Sequence, residues 1–93
     1  MIDQKTKVRE DALYTLVFMP NYLHNPTFKG YAKSVSSTNV EGPFDILPEH
    51  ENFVTIIGQR VTIFDLEGKK YDIIMEKGLI EATSNVVKVY VEF

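Results

Sequence analysis

Apolar and polar residues alternate along most of this chain, which is the pattern of β-strands with one buried face. Near the C-terminus one side of the alternation carries Val87, Val89, Val91 and Phe93, and the other carries Lys88, Tyr90 and Glu92. This segment predicts a half-buried strand. Similar runs occur at residues 14–19, 28–36, 53–57, 61–66, 71–76 and 79–83, and turn residues separate them.

The residue types also favour strands over helices. The chain has 25 Val, Ile and Thr residues against 9 Leu and Ala, and no stretch of ten residues carries an apolar stripe at helical spacing. Short connections such as residues 65–68 and 83–85 are typical of hairpins. We therefore predict an all-β fold, a flattened β-sandwich or barrel of about eight to ten short strands.

Length and charge limit the possible functions. The 93 residues suffice for one domain, which we place at residues 12–93 after a partly ordered N-terminal arm at 1–11. A net charge of −3 excludes the basic surface of a nucleic-acid-binding protein and a polybasic membrane anchor. The absence of cysteine excludes disulfides and thiolate chemistry and suits a reducing compartment. The charged start does not resemble a signal peptide, so we expect a cytoplasmic protein without a membrane span.

The most informative segment is residues 34–55, Ser-Val-Ser-Ser-Thr-Asn-Val-Glu-Gly-Pro-Phe-Asp-Ile-Leu-Pro-Glu-His-Glu-Asn-Phe-Val-Thr. It predicts a strand, a tight turn at residues 39–42, a short apolar piece, and a break at Pro48 before the next strand. We expect Ile46 and Leu47 to anchor this connection on the core while Pro48 sets its exit.

This segment resembles the N-terminal β-sandwich of the epsilon subunit of rotary proton-translocating ATP synthases, which corresponds to the mitochondrial delta subunit. The matching residues are Gly42, Phe44, Ile46, Leu47, Pro48, His50 and Thr55. Further matches at residues 28–30, 34–35, 77–81 and 85–89 extend the resemblance over about residues 14–92. The family's C-terminal helical hairpin, which in many members inhibits ATP hydrolysis and in some binds ATP, has no counterpart in this sequence. We expect neither activity here.

The resemblance implies a non-catalytic subunit of the central stalk that packs on the gamma subunit, lies near the c ring, and couples ATP synthesis or hydrolysis to ion transport. It implies no cofactor and no metal, and a peripheral location at the inner face of the energy-coupling membrane. We assign the loop at 39–51 to the c ring and an exposed sheet face to gamma. The partner-binding residues of this loop are predicted to be Asn39, Glu41, Pro43 and His50.

Glu41 follows the predicted turn and His50 follows Pro48, so we expect both side chains at one end of the sandwich. Two departures from the family pattern fall in this loop. Pro43 stands where many members carry an acidic residue thought to approach the c ring, and Glu49 replaces a glycine. We therefore expect no acidic contact through position 43 in this chain.

The candidate residues also have structural interpretations. His50 could brace its own loop by hydrogen bonding. Glu49, His50 and Glu51 do not predict a metal site, because consecutive residues of an extended chain point to opposite sides. Charges at Asp65, Glu67 and Asp72 are expected to be solvated turn residues. The aromatic residues expected to fill the core are Phe18, Phe28, Phe44, Phe53, Phe64 and Tyr71.

No phosphate-binding, hydrolase or EF-hand motif occurs, so the sequence does not predict an enzyme. An alternative function is a free-standing β-sandwich that binds another protein or a small ligand and shares only ancestry with epsilon subunits. Co-purification of gamma and other rotary-ATPase subunits would distinguish the first function from the second.

Overall fold

The computed structural model describes residues 9–21 and 25–92, and these residues form six strands without a helix. The strands are β1 (Leu13–Phe18), β2 (Phe28–Asn39), β3 (Gly42–Ile46), β4 (Phe53–Asp65), β5 (Lys70–Thr83) and β6 (Val86–Val91). The prediction of an all-β sandwich or barrel is confirmed. Within the described residues there is no helix that could cross a membrane.

The strands form one sheet that closes on itself. Their order is β1-β6-β5-β4-β2-β3, and an additional pairing of β1 with β2 completes the ring. Neighbouring strands are antiparallel except β1 and β6, which are parallel. Closure leaves only β3 as an appended edge strand beside the second half of β2. A closed ring of paired strands removes most of the unpaired edges that an open sheet would expose.

In two places, a pair of strands predicted from the sequence is a single continuous strand in the structure. The predicted strands at 53–57 and 61–66 are halves of β4, and those at 71–76 and 79–83 are halves of β5. The β4–β5 pairing shifts register between Ile57 and Gln59, where two residues of β5, 76 and 77, lie opposite the single residue 58 of β4. Gln59 has a φ of 72°, and both strands continue through this β-bulge instead of ending. The predicted count of eight to ten strands is therefore wrong.

Gly78 allows β5 to make the corresponding bend. A Cβ atom at this position would lie 2.7 Å from the sulfur of Met75 and 2.9 Å from the carbonyl oxygen of Tyr90. Only a residue without a side chain fits between these atoms. In the sequence such a glycine resembles the end of a strand, which explains the excess of predicted strands.

The core lies between the two halves of the closed sheet and consists mainly of aliphatic side chains. Its buried members are Leu13, Val17, Ala32, Val35, Ile46, Ile57, Val61, Ile63, Met75, Ile80, Ala82, Val87, Val89 and Val91. The alternation predicted for the C-terminal strand is thus confirmed for its three buried valines. The aromatic residues predicted to fill the core lie at its margins. Phe28, Phe44, Phe53 and Tyr71 are partly buried against it.

Phe18 and Phe64 do not belong to this core, so the prediction is wrong for these two residues. Each directly follows a buried residue in its strand, Val17 and Ile63 respectively, and strand alternation turns the next side chain outward. Residues 1–8 of the predicted N-terminal arm lie outside the described residues. Residues 9–12 precede β1, and there Arg9 forms a two-point ion pair with Asp11.

Candidate partner-binding site

The turn between β2 and β3, residues 39–42, forms an exposed hairpin tip. Asn39 shapes it, because its side-chain oxygen accepts a hydrogen bond from the Glu41 amide and its Nδ2 donates to Thr55 Oγ1 at 3.2 Å. Val40 at the tip is fully exposed. Within the described residues the Glu41 carboxylate has no hydrogen-bond or ion-pair partner of its own. The hairpin tip therefore offers a free carboxylate beside an exposed apolar side chain.

Of the candidate residues in this hairpin, Asn39 has a structural role and Pro43 a surface position. Both hydrogen-bonding groups of the Asn39 side chain are used within the domain. Pro43 is exposed and opposite Thr38 in the β2–β3 pairing. A proline has no backbone donor and no polar side chain, so the side chain at position 43 can contribute only apolar contact to a partner.

His50 lies in a second exposed segment, residues 47–52, which we call the His50 loop. Its backbone amide donates to the Leu47 carbonyl at 3.1 Å, and its Nδ1 lies 3.1 Å from the Glu51 carbonyl oxygen. The ring also packs on Phe53, with 5.3 Å between centroids. These contacts hold the ring against its own loop while the residue remains exposed.

The structure separates the hairpin tip from the His50 loop. Glu41 directly precedes β3 and His50 follows its end, and a strand of five residues spans about 17 Å. The expectation that both side chains project from one end of the sandwich is therefore wrong. The loop predicted at 39–51 contains a strand that pairs with β2, so it carries two surfaces instead of one.

The anchoring prediction is right for one of its two residues. Ile46 is completely buried at the end of β3, whereas Leu47 is 54% exposed. Alternation explains the difference, because Ile46 faces the core opposite Val35 and the next residue must point away from it. Leu47 consequently belongs to the surface of the His50 loop.

A third surface is larger than either loop and covers the outside of β1, β6, the second half of β5 and the first half of β4. We call it the apolar face. Its members are Tyr14, Leu16, Phe18, Val54, Ile56, Leu79, Val86 and Tyr90, with Glu81 and Lys88 between them. None of these residues is buried.

Strand register arranges the apolar face in rows across the sheet. Phe18 pairs with Tyr90, Tyr90 with Leu79, and Leu79 with Ile56, so one uninterrupted apolar row crosses four strands. The rings of Phe18 and Tyr90 stack with 5.3 Å between centroids. A neighbouring row runs through Leu16 and Val54 with one opposed charge pair between them. Ile56 in the first row is 55% exposed, and Phe18, Leu79 and Tyr90 are half-buried. A contiguous apolar surface that is only partly covered is typical of an interaction site.

Sequence reasoning expected an exposed sheet face toward gamma and did not identify its residues. A signal was present in β1, whose sequence Leu-Tyr-Thr-Leu-Val-Phe has large apolar or aromatic residues on both sides of the alternation. Strands that are apolar on both faces are typical of sheets covered on both sides. In the described residues the inward side of β1 is buried and its outward side is only half-buried.

The outside of the other half of the sheet is different, and we call it the polar face. Its members are Ser34, Ser36, Asp45, Arg60, Thr62, Phe64, Lys70, Asp72 and Ile74. The Ser36 hydroxyl donates to Asp45, the Thr62 hydroxyl donates to Asp72 at 2.6 Å, and Lys70 lies 3.5 Å from the same carboxylate. The hydrogen bond from the Thr62 hydroxyl is the main cause that lowers the pKa of Asp72 below its ordinary value; desolvation opposes it, and the Lys70 charge adds to the lowering.

Asp65 and Glu67 shape a turn, as predicted. Asp65 Oδ1 accepts hydrogen bonds from the backbone amides of Glu67 and Lys69, and Tyr71 donates to its other oxygen. Desolvation raises the pKa of Asp65, but these donors outweigh it and the net pKa is lowered. Asp72 belongs to the polar face instead. Nowhere in the described residues do three metal-ligating side chains cluster.

Comparison with known families places the chain in a known class of protein. The family model for the β-sandwich domain of ATP synthase delta and epsilon chains matches residues 24–93, well over half of the chain. The chain belongs to this family. The delta/epsilon resemblance predicted from the sequence is confirmed. A search of curated protein sequences found no significant match.

Solved structures contain the same fold. A chain in the cryo-EM structure of the Euglena gracilis mitochondrial ATP synthase, comprising OSCP, F1 and the c-ring in rotational state 1, superposes with a TM-score of 0.76 at 13% identity. A chain of the Tetrahymena thermophila mitochondrial ATP synthase central stalk and c-ring gives 0.65 at 10% identity. Each match covers 92% of this delta/epsilon domain, which spans 53% of the Euglena chain and 66% of the Tetrahymena chain.

Proposed function

We propose that this delta/epsilon domain is a non-catalytic subunit of the central stalk of a rotary ATP synthase and that it packs on the gamma subunit through its apolar face. The apolar face is the observation that carries the proposal. A row of four apolar residues that is only partly buried on a small domain leaves apolar surface in contact with water, and a permanent partner would remove that unfavourable exposure. In such interfaces buried aromatic residues contribute most of the binding energy. In this proposal the stacked rings of Phe18 and Tyr90 make that contribution.

The His50 loop belongs to the same interface in this proposal, which departs from the sequence-based assignment of His50 to the c ring because the structure separates this loop from the hairpin tip. It is hydrogen-bonded to the β5–β6 turn, and that turn leads directly into Val86 of the apolar face. A partner seated on the apolar face would therefore meet His50 and Leu47 at the edge of its contact. Their exposed positions suit the polar and mixed rim that surrounds the apolar centre of protein interfaces.

The hairpin tip suits the contact with the c ring. It lies at the other end of β3, and its Glu41 carboxylate is free to meet a cation or a backbone amide of the ring. An exposed rim carboxylate mainly affects association rate and its dependence on salt. Because Pro43 offers no charge, Glu41 carries the polar part of this contact.

Torque transmission follows from the closed sheet. A ring of hydrogen-bonded strands with one packed core opens only at the cost of many backbone pairs, so load applied at the apolar face reaches the hairpin tip without local unfolding. The domain would thus act as a rigid connection between gamma and the c ring and would sit at the membrane surface as a peripheral component. Coupling of ATP synthesis or hydrolysis to ion transport is the function of the whole assembly.

Affinity purification of the tagged full-length protein from its source cells tests the proposal. We expect gamma and the c subunit to co-purify in mild detergent at constant proportions. Recovery of the protein as a lone monomer, or with an unrelated partner, would contradict the stalk function and favour the alternative of a free-standing interaction or ligand-binding domain.

A further inference from the structure

The turn between β5 and β6 contains an asparagine with an unusual position. Ser84 and Asn85 form a two-residue hairpin turn, and their φ angles of 49° and 62° are the positive values that a type I′ turn requires. Asparagine tolerates this backbone geometry well. Yet Asn85 is only 9% exposed, and the turn geometry alone does not require this burial. Its side chain points back into the domain and makes contacts there.

Asn85 joins three segments that are remote in the sequence. Its Oδ1 accepts a hydrogen bond from the backbone amide of Glu49, and its Nδ2 donates to the carbonyl of Arg9 at 2.6 Å. Its own carbonyl accepts from the amide of Tyr14 at 2.8 Å. The His50 loop, the end of the N-terminal arm and the first strand of the apolar face therefore meet at one residue.

A second asparagine makes a hydrogen bond in the opposite direction. Asn52, at the end of the His50 loop, accepts a hydrogen bond from the Ser84 amide at 2.9 Å. Each of the two segments thus supplies one asparagine oxygen to a backbone amide of the other. The two bonds enclose Glu49, His50 and Glu51, and they fix both ends of this stretch against the turn.

The loop needs such support because its backbone is strained. Glu49 has a φ of 66°, a conformation that is unfavourable for a residue with a Cβ atom. Strained positions persist only where the surrounding structure holds them. A partly buried amide that loses its acceptor would add a desolvation cost to this strain. Glu49 receives the needed acceptor from Asn85.

We propose that Asn85 is a positioning residue that holds the His50 loop in a fixed relation to the apolar face. This inference rests on the proposed function, in which the loop and the face contact gamma together. Asn85 itself touches no partner in this proposal. It acts by fixing the Glu49 backbone, and His50 then projects from a rigid loop.

Amide hydrogen exchange of the full chain, followed by NMR, tests the clamp. Asn85→Gly keeps the positive φ and removes the side-chain bonds, and Ser84→Gly is the matched control in the same turn. In Asn85→Gly we expect the Glu49 amide to exchange at least about 10-fold faster relative to the Val89 amide in the core, with loss of the ring contact between His50 and Phe53. Equal Glu49 exchange in the two variants would overturn the proposal.

Binding to a purified gamma-containing stalk complex tests the positioning role. We expect Asn85→Gly and His50→Ala each to weaken binding several-fold, and the double variant to bind no more weakly than the worse single variant, because both remove the same contact. If the double variant lost affinity by the product of the two single losses, the positioning role of Asn85 would be overturned. If His50→Ala alone binds normally, the role of Asn85 fails with the His50 contact, whereas gamma binding by the apolar face is judged separately by Ile56→Glu.

Discussion

The two outer faces of this domain share strands β4 and β5 and differ in how their side chains find partners. On the polar face, hydroxyl and carboxylate groups pair across neighbouring strands, as in Ser36 with Asp45 and Thr62 with Asp72. On the apolar face, rows of aliphatic and aromatic residues run across four strands and are only partly covered within the described chain. The polar side chains thus find partners among themselves, whereas the apolar side chains keep a part of their surface in water.

This contrast shows how a closed β domain assigns separate tasks to its surfaces. β4 and β5 each contribute one half to either face, because both strands bend where the sheet turns its corner. In β4 the outer surface is apolar before the bend and polar after it, and in β5 the order is reversed. Which half of β4 or β5 a residue occupies therefore decides whether its outward side chain lies on the polar face or on the apolar face.

The largest expected effect tests the boundary between the core and the outer faces. Ile46→Ala should lower the free energy of unfolding by about 2–5 kcal/mol, because it removes a completely buried side chain from β3. Leu47→Ala next to it should cost less than about 1 kcal/mol, because Leu47 is largely exposed. Urea unfolding of both variants measures this. An equal loss of unfolding free energy in the two variants would mean that Leu47 is packed in the core.

The next prediction compares the two faces directly with matched substitutions. Ile56 on the apolar face is 55% exposed and Ile74 on the polar face is 69% exposed. Ile56→Glu should weaken binding to a gamma-containing stalk complex by about 2 kcal/mol or more, since it places a charge in the apolar row. Ile74→Glu should change binding by less than about 0.5 kcal/mol.

Calorimetric or surface-based affinity measurements of the two folded variants give the answer. Both should unfold at nearly the same urea concentration as the unaltered domain, because both positions are exposed. A stronger effect of Ile74→Glu on binding would reverse the assignment of the gamma surface to the apolar face.

A smaller effect is expected at the hairpin tip, outside both faces. Glu41→Ala should reduce the rate of association with the c ring several-fold at low salt and have little effect at high salt, because an exposed charge steers encounter and is screened by ions. Glu67→Ala, in the turn between β4 and β5, is the control on an exposed carboxylate residue elsewhere. Stopped-flow association at two salt concentrations measures both, and identical behaviour would exclude a special role for Glu41.

The smallest effect concerns the polar face itself. Thr62→Val should raise the pKa of Asp72 toward its ordinary value, because it removes the hydroxyl that stabilises the carboxylate. Since the folded pKa is depressed, the Asp72 contribution to stability is present above about pH 4 and is lost as the pH falls through the folded pKa. NMR titration of the carboxyl carbon in both proteins tests this. An unchanged pKa in Thr62→Val would mean that the hydroxyl does not bond to the carboxylate in solution.

Local features of the site were predictable where they depend on neighbours in the chain. The turn at residues 39–42, the turn role of Asp65 and the buried valines of β6 all follow from short-range patterns. The separation of Glu41 from His50 was not predictable in the same way. It depends on β3 pairing with β2, and a five-residue run that contains Pro43 and Asp45 has a weak strand signal.

The amino-acid sequence by itself determined the all-β class, the alternation that buries one side of each strand, and membership of the delta/epsilon family, because these depend on residue types at short spacing. Only the tertiary structure decided that bulges keep β4 and β5 continuous, that Phe18, Tyr90, Leu79 and Ile56 form one row, and that Asn85 reaches the His50 loop. Strand register and closure bring these residues together from distant positions. Such long-range pairing is a property of the whole sheet, and no local window of sequence contains it.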